Sequence, residues 1–498
     1  MTANEWAPNP PQFQLSRWLF LRLVGFTYLL AFASLTPQIL GLVGADGLLP
    51  IEELLNRAEE FFGVGAYYEL PTLAWISSTD SALLAYCWVG IVTAVFAILG
   101  LAPIGAFALL WVLYLSLTVA GQTFLSFQWD VLLLEVGLLA CFYAPFGLRP
   151  SLAGGTSPPI SIRWLLWALA FKLTFLSGVT KLVSGDPTWS GLTAMTFHYQ
   201  TQPLPAWTSW YAHNAPIWIH TSSAACMFLI ELVVPFFALA PSRWRRTRAT
   251  ACALMCVLQI GIAATGNYGF FNLLAVVLYL ALLDDAAVSR ALPTTLIKRL
   301  DSENSTPEPR VWRTVLPFVA LVIAFFSTLT MWHEITYRHP HPEWSNQVLR
   351  LVRPARSING YGLFRSMTTV RPELVLEVSL DGTMWREHEF RWKPGDLHRR
   401  PTFVQPHMPR LDWQMWFAAL DPAGNEHWLR VLITKILKGS PSVVRLVGEN
   451  PFGGERPRYA RLAIYRYDFT TPDNRTMTGN WWHRQLMGYL TESVSLGP

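Results

Sequence analysis

Charge is what this chain has least of. Only 14% of its 498 residues are charged, against 52% hydrophobic, where a soluble globular protein carries about a quarter charged. With a mean hydropathy of +0.29, that scarcity argues against a soluble protein and for a polytopic membrane protein. Cysteine is scarce as well. Cys87, Cys141, Cys226, Cys252 and Cys256 all lie in apolar segments, so a disulfide framework is not expected. Cys252 and Cys256, at i, i+4, lack a companion His or carboxylate and read as small packing residues, not metal ligands. The net charge of +5 gives no nucleic-acid footprint, because the basic residues cluster beside apolar spans and act as a topology signal. No GxSxG elbow, P-loop or GxGxxG in a strand–turn–helix setting is present, which removes the serine-hydrolase and nucleotide-binding readings. No internal repeat appears, and a transporter reading is weak without inverted-repeat symmetry. The first apolar run is long, carries Arg22 and lacks a small-residue cleavage site, so no cleavable signal peptide is expected.

What is there is apolar and aromatic. Apolar stretches near 18–42, 81–100, 105–120, 131–145, 164–183, 217–240, 249–264, 270–283 and 316–332 predict about nine transmembrane helices. Residues 1–16 are polar and read as frayed. Residues 43–80 are acidic and read as a loop with a short amphipathic helix, and 302–309 as a polar linker. Arg243, Arg245, Arg246 and Arg248 share one short loop, which the positive-inside rule makes cytoplasmic. Alternation from there puts everything after His333 on the non-cytoplasmic side. The predicted organisation is a multi-pass domain over 1–332 and a β-rich extramembrane domain with helical insertions over 333–498. In the latter, 373–379 alternates into an Asp381-Gly382 turn and returns over 384–392, and 458–469 reads as a further strand. Helices are expected over 428–438 and 442–447, broken at Gly439-Ser440-Pro441.

One stretch, 163–216, carries the chemistry. An apolar run holding Lys172 and Lys181 breaks at Gly185-Asp186-Pro187 into a loop with Trp189, His198, Tyr199, Trp207, Trp210, Tyr211 and His213. Lysine at membrane depth costs a few kcal/mol and requires a partner or a role. Lys172 is nine residues from Lys181, on roughly the opposite helix face, and is expected to pair with Glu135 or Glu231. Lys181, near a span end, either snorkels to the interface or acts as a desolvated base. Trp189, Trp207 and Trp210 read as interfacial anchors, and Asp130 as a cap at a span end. His198, Tyr199 and His213 read as loop residues packing on the outer domain, since two histidines without a third ligand make no metal site. The Trp- and Arg-rich stretch 385–416 suits protein recognition.

Several longer stretches resemble one family. FQWDVLLLEVGLLACFYAP (127–145), SGDPTWSGLTAMTFHYQTQPLP (184–205), WYAHNAP (210–216), GNYGFFN (266–272), YGLFRSMT (361–368), RLDWQMWFAAL (410–420), NPF (450–452) and WWHRQLMGYL (481–490) are similar to the lipase maturation factors, over nearly the whole chain. That resemblance implies a non-enzymatic membrane protein, needing no cofactor, that assists folding of a secreted client such as a lipase, with membrane lipid as its other partner. The membrane would be the endoplasmic reticulum in a eukaryote. The short loops and the lack of cysteine in the outer domain point to a bacterial-type member, placing it in the inner membrane. A more distant resemblance, in Gly178-Val179-Thr180-Lys181-Leu182, is to the membrane region of vitamin K-dependent carboxylases. It implies the alternative of an enzyme acting on a lipid-soluble reactant with Lys181 as base, although Thr180 stands where those enzymes have the first lysine of a pair.

Overall fold

The computed structural model describes residues 12–150, 158–293, 295 and 310–496; the linker expected at 302–309 lies outside them. The N-terminal part is a helix bundle: α1 (Gln14–Leu35), α2 (Asp80–Leu99), α3 (Pro103–Ala120), α4 (Gln128–Tyr143), α5 (Ile160–Val183), α6 (Ile217–Leu232), α7 (Arg245–Thr265), α8 (Phe271–Leu280) and α9 (Arg310–Ile335). Among the described residues seven helices are long and apolar enough to cross a membrane. The other two expected spans form α4 and α8, of 16 and 10 residues, shorter than the roughly 20 residues a crossing needs. The first helix is displaced from its expected bounds. It begins at Gln14, because the Asp285 carboxylate accepts from the Gln14 and Ser16 backbone N–H groups at 2.9 Å, and it ends at Leu35, just before Pro37. The acidic loop forms an amphipathic helix, Ile51–Phe62, with Phe61 and Phe62 exposed.

Helix α5 is the hub, packing against α4, α6, α8 and α9. The connections sort to two ends of the bundle. At one end, Ala102 N–H donates to the Leu148 carbonyl, and Arg245 reaches Asp284 at 3.0 Å. This is the end of the arginine loop. Arg248 there is buried, bonded to the Leu282 and Pro241 carbonyls and stacked 4.7 Å over Trp167. At the other end sits the C-terminal region, a cap built on an antiparallel sheet.

The strands are β1 (Arg371–Ser379), β2 (Trp385–Glu387), β3 (Tyr459–Phe469), β4 (Trp482–Tyr489) and β5 (Val494–Ser495), in the order β2-β1-β3-β4, with β5 also on β3. Asp381 closes the predicted turn, its Oδ1 accepting from the Thr383 and Met384 N–H groups at 2.8 Å. The return strand is shorter than expected because its chain is drawn off the sheet: Trp392 and Lys393 N–H donate to Asp412 Oδ1 at 3.0 and 2.9 Å. Helix α10 (Arg410–Leu420) covers β1, and α11 (Glu426–Lys438) ends at Gly439 with φ +68°, a left-handed cap that glycine adopts without strain. The hydrophobic core runs without interruption from bundle to cap, through Leu42, Phe124, Tyr268, Met408, Trp413 and Trp428.

Candidate functional site

The two lysines of α5 are both buried, and each has its own carboxylate. Lys172 Nζ lies 2.5 Å from Glu135 Oε1 on α4. The other oxygen of Glu135 accepts from the Tyr361 hydroxyl at 2.6 Å and the Asn359 N–H at 3.2 Å, so the chain leading into the cap completes this pair. Lys181 is 4% exposed and takes Glu231, the second of the two carboxylates expected for Lys172. Its ammonium donates to Glu231 Oε1 at 2.9 Å, Oε2 at 2.8 Å and the Ser177 carbonyl at 3.1 Å. It therefore does not snorkel to water. Its neighbour Thr180 faces Gly362 so closely that a Cβ there would stand 2.7 Å from the Thr180 hydroxyl. That contact leaves no room for a second lysine at position 180.

Helix α5 stops at Gly185, φ +66°, and Asp186 then ties the loop down. Its Oδ1 accepts from Thr188 N–H at 2.8 Å and its Oδ2 from Met367 N–H at 2.6 Å. Burial pushes this carboxyl up, but the bonds from Met367 and Thr188 outweigh it and hold its pKa below the ordinary value. Two of the expected interfacial anchors are instead buried latches to the cap. Trp189 Nε1 donates to the Phe364 carbonyl at 3.0 Å and Trp210 Nε1 to the Thr470 carbonyl at 2.8 Å. An indole buried at a protein contact needs a partner for its N–H, and the cap backbone supplies it. Trp207 lies against Phe403, under the Arg400 guanidinium. His213 packs on Phe469 at 5.6 Å and His198 on Phe364 at 4.8 Å.

Between α5, α6 and α7 lies a cavity of about 410 Å³, largely apolar and of ligand-pocket size. It gathers Lys181, Glu231, Trp189, His198 and Tyr199 around its polar part and leaves out Lys172, Glu135, Asp186, Trp210 and His213. A second space of about 380 Å³ adjoins it, sharing Tyr268, Leu363 and Phe364. Phe364 holds φ +55°, a conformation rare for a bulky residue and found at constrained sites. Among the described residues no group of three or more His, Cys, Asp or Glu is placed to hold a metal ion.

The strongest links between bundle and cap are ones that sequence reasoning misses. Asp130 does not cap its helix. Its carboxylate takes the Arg410 guanidinium at 2.6 and 2.7 Å and the Tyr114 hydroxyl at 2.6 Å, all buried. Arg371 lies fully buried, donating to Glu373 and to the carbonyls of Gln200, Gln202 and Pro203, while Lys393 holds the other Glu373 oxygen at 2.7 Å. Little in the sequence singles out Arg371, Lys393 or Arg410 among the many basic residues of the C-terminal third. In 385–416, the stretch suited to recognition by its composition, Trp413 and Trp416 are buried, Trp416 donating to the Thr201 carbonyl at 2.8 Å.

A bundle of apolar helices, with the two buried lysines of α5 paired and the loops at one end locked under a folded cap, defines an integral membrane protein of the multi-pass class. The chain belongs to the lipase maturation factor family. Residues 15–290 match the lipase maturation factor transmembrane domain and residues 357–491 the lipase maturation factor C-terminal domain. Lipase maturation factor 2 of Mus musculus is 37% identical over 96% of this chain and 83% of its own length, and that of Homo sapiens 36% over 97% and 83%. Lipase maturation factor 1 of Mus musculus is 33% identical over 96% and 86%. No solved structure matches.

Proposed function

We propose that the protein is a membrane-anchored maturation factor that assists folding or assembly of secreted proteins, lipases being the class its relatives' names point to. The observation that carries this is the collinear likeness to those relatives through bundle and cap alike. The cap is the client-binding element and faces the non-cytoplasmic side, since it sits at the end of the bundle opposite the loop of Arg243, Arg245 and Arg246, which the positive-inside rule makes cytoplasmic. Strand β4 ends the sheet and leaves Leu486, Met487 and Tyr489 exposed. An open apolar edge suits an extended client segment. The pairs Lys172–Glu135 and Lys181–Glu231 hold the helices in register under the cap.

The test is deletion of the gene with the secreted lipase activity of the same cells measured. Activity is expected to fall while lipase synthesis stays constant, and Met487→Glu is expected to reproduce the loss at normal abundance. Unchanged lipase activity on deletion overturns the reading. For the orientation, a membrane-impermeant thiol label is expected to react in intact cells with a cysteine placed at Asp381. Labelling only after permeabilisation reverses it. A second reading, catalysis with Lys181 as base, draws on that residue's place in the cavity. Against it, all three ammonium protons are engaged.

A further inference from the structure

The cavity of about 410 Å³ opens sideways. Cys226 on α6 and Val257 on α7 both line it and are themselves exposed on the bundle surface. Around them that surface is apolar, with Leu229, Val233, Leu254 and Ile260 also exposed. A space reached through such a face is filled from the bilayer.

Its hydrogen-bonding chemistry is lopsided. The donors around Lys181 and Tyr268 are already committed within the protein. Lys181 is engaged as described, Ser177 donates to the Leu173 carbonyl at 2.8 Å, and Thr174 to that of Ala170 at 3.0 Å. Thr265 donates to the Gly261 carbonyl at 3.1 Å, and the Tyr268 hydroxyl to Gln202 Oε1 at 2.7 Å. The Gln202 assignment is secure because its Nε2 donates to the Thr265 and Tyr199 carbonyls. With its only proton on Gln202, Tyr268 can only accept from His198 Nε2, 3.3 Å away. Neutral His198 therefore carries its proton on Nε2, and Nδ1 is a bare lone pair. Burial and the nearby Lys181 charge keep the ring neutral, with its pKa lowered to about 4. His198 Nδ1 is buried without a partner, and so is Gln259 Oε1, on a second residue of the same wall. Buried acceptors left empty are costly and uncommon.

We infer that this cavity binds one uncharged, hydroxyl-bearing amphiphile from the bilayer, its hydroxyl donating to His198 Nδ1 and its chain occupying the apolar space between α6 and α7. An anionic head group does not suit the site. No ammonium proton of Lys181 is free to receive it, and it would face the Glu231 carboxylate and two empty acceptors. The inference stands apart from the client-maturation reading, because it rests on the cavity and not on the exposed edge of the sheet.

The test uses the intact protein in detergent with three photoprobes of one chain length, each carrying a mid-chain diazirine: hexadecanol, its methyl ether and hexadecanoic acid. The alcohol is expected to label α6 and α7 peptides, and the ether and the acid at least about fivefold less, since each fails to fill the acceptor properly. In His198→Phe, alcohol labelling is expected to drop to the ether's level while ether labelling stays unchanged. A Cβ at Gly261, on the cavity wall, meets no atom within 4 Å. Gly261→Phe is therefore expected to fold with an unchanged melting temperature and to abolish labelling by all three probes. Equal labelling by alcohol and ether, stronger labelling by the acid, labelling that persists in Gly261→Phe, or no labelling of the wild type each overturns the inference.

Discussion

Lys172 and Lys181 sit on one helix, are equally buried and meet the same kind of partner, yet their surroundings differ. Lys172 and Glu135 form a closed unit. Both are nearly inaccessible, and the spare carboxylate oxygen is filled by Tyr361 and Asn359 from the chain entering the cap. Lys181 and Glu231 are as well bonded to each other, but they stand on the wall of a cavity open to the bilayer. The first pair is part of how the cap is seated. The second is part of a container. A buried charge has the same need for a partner in both places, and the space beside it separates structural from site use.

The largest expected effect breaks the closed pair. Lys172→Met leaves Glu135 charged, buried and without relief, and is expected to destabilise the detergent-solubilised protein by about 3–5 kcal/mol. The double variant Lys172→Met, Glu135→Gln is expected to recover most of that loss, because no uncompensated charge remains. Thermal unfolding of both variants checks this. A double variant less stable than the single one would mean the pair is not the source of the cost.

Lys181→Met is expected to cost less, roughly 2–3 kcal/mol, because the cavity lets water or a lipid head group solvate the orphaned Glu231. Lys181→Arg keeps charge and donors and is expected to fold at normal abundance and retain client maturation. Loss of maturation in a well-folded Lys181→Arg would instead favour the proton-transfer reading, since a guanidinium does not deprotonate in this range. If Lys181→Met is as damaging as Lys172→Met, the contrast between the pairs collapses.

Much of this contrast is legible in the amino-acid sequence, and what is not has physical causes. Lys172 stands out because a charge inside a 20-residue apolar run must be answered, and few carboxylates lie in other such runs. The Asp381-Gly382 turn and the Gly439 helix stop are legible because local chemistry dictates them. Which carboxylate answers which lysine is not, because pairing depends on how α4 and α6 pack around α5. Asp130 passes for a cap since its partner, Arg410, is 280 residues away. The interfacial assignment of Trp189 and Trp210 fails for a related reason. Tryptophan suits a membrane surface and a buried protein contact equally well, and only the presence of the cap decides between them.

The smallest expected effect sharpens the comparison on the side of the open pair. His198 neighbours Lys181 across the cavity wall, and its pKa of about 4 lies below the ordinary histidine value near 6.5. Between those two values the unfolded chain binds a proton that the folded chain refuses. The contribution of His198 is therefore fully present above about pH 6.5, declines as pH falls toward about 4, and is flat below that. From pH 6.5 to 4.5 the expected loss is roughly 2 kcal/mol, read as a falling melting temperature. His198→Phe removes the titrating group while keeping a ring against Phe364, and is expected to flatten that slope. Lys181→Met is expected to flatten it partially, because it removes the charge that reinforces burial in keeping the imidazole neutral. Lys172→Met, on the other face of α5, is expected to leave the slope as it is. A slope altered equally by both lysine variants would mean that the two pairs share one electrostatic environment after all.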